Sequence, residues 1–195
     1  MRVHGLAVAF LLATCDAALA ETPGTFNPAI DMAGYLKVAS EAARHRQRRR
    51  VSEEEFLRLS REPGTIVLDA RSRQKYDELH VAGAVNLSFP DVAIDSLRRT
   101  IPDKSTRILI YCNNNFRNAE GPFPSKLPTA SLNLSTYIAL YSYGYRNLYE
   151  LAPLVALEAS KLPFESSRPA ARSLATSRRN ASSPRLSAPA RDGRA

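Results

Sequence analysis

Cys112 is the residue of this sequence best suited to carry out a reaction. It follows the apolar residues 108–111, which predict a buried strand, and it opens a polar stretch in which Arg117 comes five residues later. A thiolate is a good nucleophile, and a nearby guanidinium group both stabilises its charge and binds anionic substrates. The spacing therefore predicts a cysteine nucleophile that faces an anion at the end of a strand.

The residues that follow Cys112 complete this predicted site. A tight loop directs several backbone N–H groups at one point, and such a group of donors holds an anion or a developing negative charge. We expect the thiol to be exposed; the alternative is a small buried side chain, because free cysteine is often buried. Arg117 is either the group that binds the substrate anion or a solvent-facing loop charge. The predicted substrate-binding residues are Asn113, Asn114, Asn115, Phe116, Arg117 and Asn118.

Residues 1–20 have the features of a secretory signal peptide. A short apolar segment, residues 6–14, follows a basic residue, and the Ala-Leu-Ala of residues 18–20 matches the pattern of a cleavage site. The apolar segment is much shorter than the ~20 residues that span a bilayer. We expect a chain that begins near Glu21, is exported to the periplasm and has no transmembrane segment. The alternative is a lipoprotein anchored through Cys15.

The positive charge of the chain is concentrated in its C-terminal tail. The net charge is +8, and residues 166–195 hold seven arginines against Asp192 alone. This tail has few large apolar side chains, so it cannot offset the entropy of ordering, and we predict disorder from about residue 166. A second basic run, residues 44–50, is either a solvated linker or a surface for nucleic acid or anionic lipid. Because export separates the chain from most nucleic acid, we expect no nucleic-acid partner.

Apolar segments of strand length alternate with helical segments from residue 51 onwards. Continuous apolar runs between helices indicate a parallel α/β sheet covered on both faces, with ligands bound beyond the carboxyl ends of its strands. In the last helix we expect Leu134, Ile138 and Tyr141 to form the packed face and Gly144 to end the helix. The predicted parts are an N-terminal helical extension (21–50), the α/β domain (51–152) and a C-terminal extension (153–195). The predicted strands are 65–69, 83–87, 107–111 and 147–151, and the predicted helices are 27–43, 52–59, 73–78, 92–99 and 129–143.

Four separated segments resemble the successive landmarks of a rhodanese-like domain. They are VLDAR at residues 67–71, HVAGAVNL at 80–87, IYC at 110–112 and GYRNLY at 144–149. The resemblance implies a three-layer α/β sandwich with a five-stranded parallel sheet, and a sulfurtransferase that needs no cofactor. It implies that Cys112 takes sulfane sulfur from thiosulfate or a similar small anionic donor as a persulfide, and passes it to a thiol or cyanide-like acceptor. It also implies structural roles near the site for Asp69, Arg71 and His80.

Two departures from the family pattern leave a second function open. The loop after Cys112 has no glycine, and residues 118–128 look like an insertion that separates the loop from the next helix. The insertion either covers the site as a lid or adapts it to another partner, so the alternative is a catalytically inactive binding or regulatory module. The domain also resembles the related cysteine phosphatases, but their loop has the pattern Cys-x5-Arg. The loop of this chain is Cys-x4-Arg, one residue shorter, so a cysteine phosphatase is less favoured. Only His45 and His80 follow the leader, so the sequence predicts no metal site.

Overall fold

The structure is a computed structural model that describes residues 27–168. The predicted signal peptide, the alternative lipid anchor at Cys15 and the predicted disorder of residues 169–195 lie outside the described residues. The helices are α1 (Met32–Arg46), α2 (Glu53–Ser60), α3 (Arg73–Glu78), α4 (Ile94–Thr100) and α5 (Leu132–Ser142), with short 3-10 helices at Phe89–Asp91, Asn113–Asn115, Pro128–Ala130 and Leu157–Ala159. The strands are β1 (Arg50–Val51), β2 (Thr65–Asp69), β3 (His80–Val81), β4 (Val85–Asn86), β5 (Arg107–Tyr111), β6 (Phe116–Arg117), β7 (Leu148–Leu151), β8 (Val155–Ala156) and β9 (Phe164–Glu165).

Five of these strands form one parallel sheet in the order β1-β7-β5-β2-β4. The predicted fold class is therefore confirmed, and the four predicted strands are all present. The fifth strand, β1, was not predicted, because its two residues lie at the end of the arginine run. The central strand is β5, so Cys112 follows the strand at the middle of the sheet. The chain divides into two compact units between Lys37 and Val38, and the sheet belongs to the second.

The side chains of the central strands alternate between two buried clusters, one on each face of the sheet. Leu109 and Tyr111 lie on one face, in a cluster that includes Phe56 of α2. Ile108 and Ile110 lie on the other face, in a cluster that includes Tyr137 of α5. Helices thus cover both faces, which is why β2 and β5 are apolar without interruption.

Capping residues and glycines in the sequence predicted the ends of helices better than the apolar pattern predicted their buried faces. Ser52 accepts a hydrogen bond from the Glu55 backbone N–H (3.2 Å) at the start of α2, and Gly144 follows α5 with a φ of +90°, as expected. The predicted packed face of α5 was right in part, because Ile138 and Tyr141 pack against the core but are not its most buried residues. The fully buried residues of α5 are Asn133, Thr136, Tyr137 and Leu140, whereas Leu134, Ile138 and Tyr141 are only partly buried.

Two small ladders attach the segment after β7 to the rest of the domain. Strand β8 pairs with β6, and β9 pairs with β3. Beyond β9, the backbone N–H groups of Ser167 and Arg168 donate to the Asp77 carbonyl (3.1 Å each). Residues 166–168, where we predicted disorder to begin, are thus hydrogen-bonded to α3. No helix within residues 27–168 has the length and apolar character needed to cross a bilayer.

Candidate active site

Cys112 lies at the carboxyl end of β5, but its thiol is buried. The residue is 1% exposed, so our expectation of an exposed thiol was wrong. The reason is the path of the chain after it. The loop forms a 3-10 helix at Asn113–Asn115, and after residues 118–128 the chain returns so that Ser131 contacts the sulfur.

The immediate contacts of the sulfur are polar. Cys112 Sγ lies 3.3 Å from Ser131 Oγ, and the Asn114 backbone N–H donates to it at 3.4 Å. Two further loop N–H groups are used elsewhere. That of Asn115 donates to the Cys112 carbonyl (3.2 Å), and that of Phe116 donates to the Asn113 carbonyl. The loop therefore directs one backbone donor at the sulfur instead of the several that we predicted.

The N-terminus of α5 compensates in part for the missing backbone donors. Ser131 is the residue immediately before α5, so its contact with the sulfur brings the first turn of the helix to Cys112. The N-terminus of a helix carries partial positive charge, which stabilises a thiolate by about 0.3–1 kcal/mol at exposed sites. The inserted residues 118–128 therefore do not remove the helix from the site.

The loop is held by a network of asparagine side chains. Asn115 Oδ1 accepts hydrogen bonds from the Cys112 backbone N–H (2.9 Å) and from Asn133 Nδ2 (3.0 Å). Asn115 Nδ2 donates to the carbonyls of Leu151 (2.8 Å) and Pro153 (3.2 Å). The network ties the loop to α5 and to the end of β7. It also fixes the orientation of the Asn115 amide, because its oxygen accepts two hydrogen bonds and its nitrogen donates two.

Phe116, Arg117 and Asn118 lead away from the thiol. Phe116 is buried, and its ring packs against Phe123 and Phe164 with centroids 4.7 and 5.2 Å apart. Arg117 is exposed in β6, and Asn118, with a φ of 60°, donates to Glu158 Oε1 (2.9 Å). Within residues 27–168, no hydrogen bond or ion pair joins Arg117 to Cys112.

The charge of Arg117 acts instead on Glu158. The pKa of Glu158 is lowered chiefly by a hydrogen bond from its own backbone N–H, then by Asn118, with a smaller contribution from Arg117. The structure brings Asn114 and Asn115 into contact with Cys112 but does not bring Arg117 there.

Arg46 is a basic residue close to the thiol that we did not predict. Its guanidinium group forms a forked ion pair with the buried Glu150, with Nη2 to Oε1 at 2.5 Å and a second contact from Nε to Oε2. The pKa of Arg46 is raised, first by this hydrogen bond and to a smaller extent by the charge of a Cys112 thiolate. The end of the predicted N-terminal extension therefore contributes to the electrostatics of the site.

Residues 118–128 form a cover that is hydrogen-bonded to the domain. The Asn114 side chain pairs with the Lys126 backbone, donating to its carbonyl (2.8 Å) and accepting from its N–H (3.2 Å). Arg71 donates to the Pro122 carbonyl (2.8 Å), and Phe123 is buried beneath the Arg71 guanidinium, 4.0 Å from ring centroid to Cζ. Residues 118–128 are thus a packed part of the domain next to the loop.

Asp69 and Arg71 form a buried ion pair near the end of β2. Arg71 Nη2 lies 2.6 Å from Asp69 Oδ2, and both residues are almost fully buried. The Tyr111 hydroxyl also donates to Asp69 Oδ2 (2.5 Å), and the pKa of Tyr111 is raised well above its ordinary value, first by burial and then by the Asp69 charge. Since every one of these groups has partners, the pair orients the strand ends and has no free group for catalysis.

His80 is likewise held by its neighbours. Its ring stacks on Tyr76 with centroids 3.6 Å apart, Nδ1 lies 2.7 Å from the Tyr76 carbonyl, and Nε2 lies 3.3 Å from Glu165 Oε1. These contacts fix the turn between α3 and β4. Within residues 27–168, no three His, Cys, Asp or Glu side chains come together as a metal site would require.

Three residues of the site could not be recognised from the sequence. Ser131 and Asn133 follow an insertion whose path sequence patterns do not specify, and Arg46 lies in a run of basic residues that also suits a solvated linker. The only signal was Asn133 itself, an amide side chain within the first turn of a predicted helix.

This chain is similar to known proteins in both sequence and fold. The sequence model of the rhodanese-like domain matches residues 52–151. Comparison with curated proteins finds no match. A rhodanese-like domain from Anabaena sp. is 21% identical, with 75% of this chain and 96% of that chain covered and a TM-score of 0.43. A rhodanese with anions from E. coli is 22% identical, with coverage of 52% and 98% and a TM-score of 0.36.

A thiosulfate sulfurtransferase from Pseudomonas aeruginosa is 17% identical, with a TM-score of 0.43. Here 67% of this chain covers 23% of that longer chain. The family match covers just over half of the chain, and it contains four of the five strands of the parallel sheet, all but β1. It also contains the site at the end of β5. The chain therefore belongs to the rhodanese-like domain family.

Proposed function

We propose that this protein is a sulfurtransferase that carries sulfane sulfur on Cys112 as a persulfide. The observation that supports the proposal best is the environment of Sγ at the end of the central strand. The Asn114 N–H donates to the sulfur, and the hydroxyl of Ser131, the residue at the N-terminus of α5, lies 3.3 Å from it. Each of these groups stabilises a negative charge on sulfur, which both the thiolate and the persulfide carry.

The reaction proceeds in two displacements at sulfur. The Cys112 thiolate attacks the outer sulfur of thiosulfate, the Sγ–S bond forms, and the S–S bond of thiosulfate breaks with its electron pair leaving on sulfite. In the second step, a nucleophilic acceptor attacks the outer sulfur of the persulfide. The Sγ–S bond breaks, and its electron pair returns to Cys112 as the thiolate. No oxidant or cofactor is consumed.

Donor access requires a local movement, because the thiol is buried and in contact with Ser131. Rotation of the Ser131 side chain away from the sulfur opens one side of Sγ without breaking the sheet. The hydroxyl then serves as a hydrogen-bond donor to the incoming sulfur.

Thiosulfate and cyanide test the proposal directly. The purified protein is mixed with both, thiocyanate is measured, and after thiosulfate alone the peptide that contains Cys112 is examined by mass spectrometry. We expect thiocyanate release and a gain of one sulfur atom on that peptide, both lost in Cys112→Ser. A wild-type chain that gives neither product contradicts the sulfurtransferase proposal.

The second candidate is a binding module that uses the same loop without turnover. The burial of the thiol favours it, as does Arg117, which is exposed and makes no hydrogen bond or ion pair with Cys112 within residues 27–168. In that case wild-type protein and Cys112→Ser both fail to form thiocyanate. The same assay therefore separates the two candidates.

We also propose that the protein is exported, on the basis of residues 1–20. N-terminal sequencing of the protein recovered from the periplasmic fraction is expected to begin near Glu21. A product that still begins at Met1, or one blocked by lipid at Cys15, contradicts soluble export.

A further inference from the structure

An open groove with a basic wall lies where the last turn of α1 meets α5. Its volume is about 580 Å³. The residues that give the wall its character include Arg44, His45, Arg48, Arg49, Glu41 and Tyr141. Arg146 lies beside them, because its guanidinium group stacks on the Tyr141 ring, 3.6 Å from Cζ to the ring centroid. We call this surface the basic groove, and all of its residues belong to the second compact unit.

The positive charge of the basic groove is not neutralised within the described part of the chain. Within residues 27–168, no ion pair joins Arg44, Arg48 or Arg49 to a carboxylate, and Glu41 is the one acid in the wall. Arg44 and Arg48 are exposed. Arg49 is half-buried and covers the Tyr149 ring, 4.8 Å from Cζ to the centroid. Such a surface attracts an anionic partner.

The distribution of the charge favours an extended partner over a small anion. The exposed arginines line an open groove, and the C-terminal segment, residues 166–195, adds seven arginines against Asp192. Clusters of about four to eight basic residues are typical of proteins that bind anionic lipid head groups, and each arginine near the surface adds to the affinity. Nucleic acid offers phosphates in a similar way, so a second observation is needed to distinguish the two partners.

The first compact unit, which ends at Lys37, supplies that observation. Met32, Tyr35 and Leu36 lie at the start of α1, and their spacing of three and four residues places them on one face of the helix. More than half of each of these side chains is exposed. A duplex nucleic acid presents no apolar layer to accept them, whereas the boundary between lipid head groups and acyl chains does.

We propose that the basic groove docks this protein on the surface of a bilayer that contains anionic lipid. The guanidinium groups of Arg44 and Arg48 donate forked hydrogen bonds to the phosphates of the head groups. The apolar face of the first unit, formed by Met32, Tyr35 and Leu36, enters the boundary region of the same bilayer. This docking is independent of the proposed sulfur transfer, and it agrees with the proposed export, which places the protein beside a membrane.

Binding to vesicles tests the proposal. The sample is the chain that begins at Glu21, the expected exported form, because the apolar segment of residues 6–14 can bind bilayers by itself. Its sedimentation is compared with vesicles of phosphatidylcholine alone and with vesicles of equal parts phosphatidylcholine and phosphatidylglycerol. We expect the affinity for the mixed vesicles to be about tenfold higher or more, because only these carry net negative charge. Equal affinity for the two kinds of vesicle overturns the proposal.

Two double variants test whether the groove or the net charge is responsible. Arg44→Gln with Arg48→Gln is expected to weaken binding to the mixed vesicles by about tenfold or more. The matched control is Arg61→Gln with Arg98→Gln, which removes the same charge from exposed positions outside the groove and is expected to keep most of the affinity. An equal loss in both double variants, or no loss in the first, overturns the proposal, since net charge or the C-terminal arginines then account for binding.

Leu36→Gln distinguishes lipid from nucleic acid. It is expected to weaken binding to the mixed vesicles about fivefold and to leave binding of a duplex DNA oligonucleotide unchanged. Leu154→Gln, which changes an exposed leucine of the second unit, is the control and is expected to affect neither. Tighter binding to the oligonucleotide than to the mixed vesicles, with the same loss in the Arg44 and Arg48 double variant, assigns the groove to nucleic acid and overturns the proposal. Thiocyanate formation is measured without vesicles, so either outcome here leaves the proposed sulfur transfer to its own test.

Discussion

At the scale of single residues, Ser131 is the side chain whose contact with Cys112 is most open to test. Its hydroxyl is 3.3 Å from Sγ, and the residue also lines a polar cavity whose wall includes Arg46, Arg50 and Glu150. A hydroxyl that donates to a thiolate stabilises the charged form, and a hydrogen bond to a charged group contributes about 1.5–3 kcal/mol. The reactive form of the thiol therefore depends on this one contact as well as on the Asn114 N–H.

We predict that Ser131→Ala slows the reaction of Cys112 with iodoacetamide at pH 7 by about tenfold, because the thiolate loses a charge-assisted hydrogen bond. The rate is measured on the Cys112 peptide by mass spectrometry. Ser135→Ala, one turn later on α5, is the matched control and is expected to react as the wild type does. A rate that is unchanged or faster in Ser131→Ala would show that the hydroxyl only shields the sulfur.

At the scale of secondary-structure elements, the end of α1 is held against α5 by a titratable contact. His45 Nδ1 lies 2.7 Å from the Tyr137 hydroxyl. The pKa of His45 is lowered, first by burial and then by the charges of Arg49 and Arg146. Because the folded chain binds this proton less tightly than the unfolded chain, protonation of His45 favours unfolding.

We therefore predict that part of the stability of the wild-type protein is lost as the pH falls below about 6.5, the ordinary pKa of histidine. In His45→Gln this part of the pH dependence is absent. Urea unfolding at pH 7.5 and pH 5.5 measures the difference for each chain. If both chains lose the same free energy of unfolding between the two pH values, the His45 contact does not contribute.

The cover of residues 118–128 is the second element with a specific consequence. Phe123 is 1% exposed and anchors the cover beneath Arg71, whereas Leu127 in the same segment is 73% exposed. Removing a buried phenylalanine side chain typically costs about 3–5 kcal/mol. In a chain without the Phe123 side chain, we therefore expect the cover to detach before the rest of the domain unfolds.

We predict that Phe123→Ala lowers the free energy of unfolding by about 3–5 kcal/mol and speeds alkylation of Cys112, because the cover no longer shields the thiol. Leu127→Ala, which removes an exposed apolar side chain from the same segment, is expected to change neither quantity. Urea unfolding and the iodoacetamide rate are the two measurements. Loss of stability with an unchanged alkylation rate would mean that the cover does not control access to Cys112.

At the scale of the whole molecule, the sheet could be predicted from the sequence, and most of the candidate site could not. Strands β2 and β5 are unbroken apolar runs because helices cover both faces, and that pattern is visible in the sequence. Strand β1 has only two residues, one of them an arginine, and is too short for a periodic pattern to predict it. Arg117 follows a phenylalanine that is buried among aromatic rings, and the alternation of a strand then turns Arg117 outwards.

The residues around the thiol depend on contacts that are distant in sequence. Ser131 and Asn133 reach Cys112 only because the inserted segment folds back, and Arg46 reaches the site through Glu150, about a hundred residues later in the chain. Such long-range contacts leave no periodic signal. We placed the start of the domain at residue 51, whereas the ion pair and β1 tie residues 46–50 to the parallel sheet.

The last prediction concerns this boundary. A chain that begins at Val51 loses Arg46 and leaves the Glu150 carboxylate, 3% exposed, without its partner. It also loses the Arg49 carbonyl that accepts from the Glu150 backbone N–H at 2.9 Å. An unpaired buried charge costs about 3–5 kcal/mol, so this chain is expected to unfold at much lower urea concentration than one that begins at Asn27.

Glu150→Gln separates the charge from the lost backbone contacts. In the chain that begins at Asn27 the substitution breaks the ion pair and is expected to destabilise the protein. In the chain that begins at Val51 it removes the unpaired charge and is expected to restore part of the stability. Urea unfolding of the four proteins measures both effects. If the substitution has the same sign in both backgrounds, the ion pair is not what joins the N-terminal segment to the sheet, and Arg46 has no fixed position from which to act on the site.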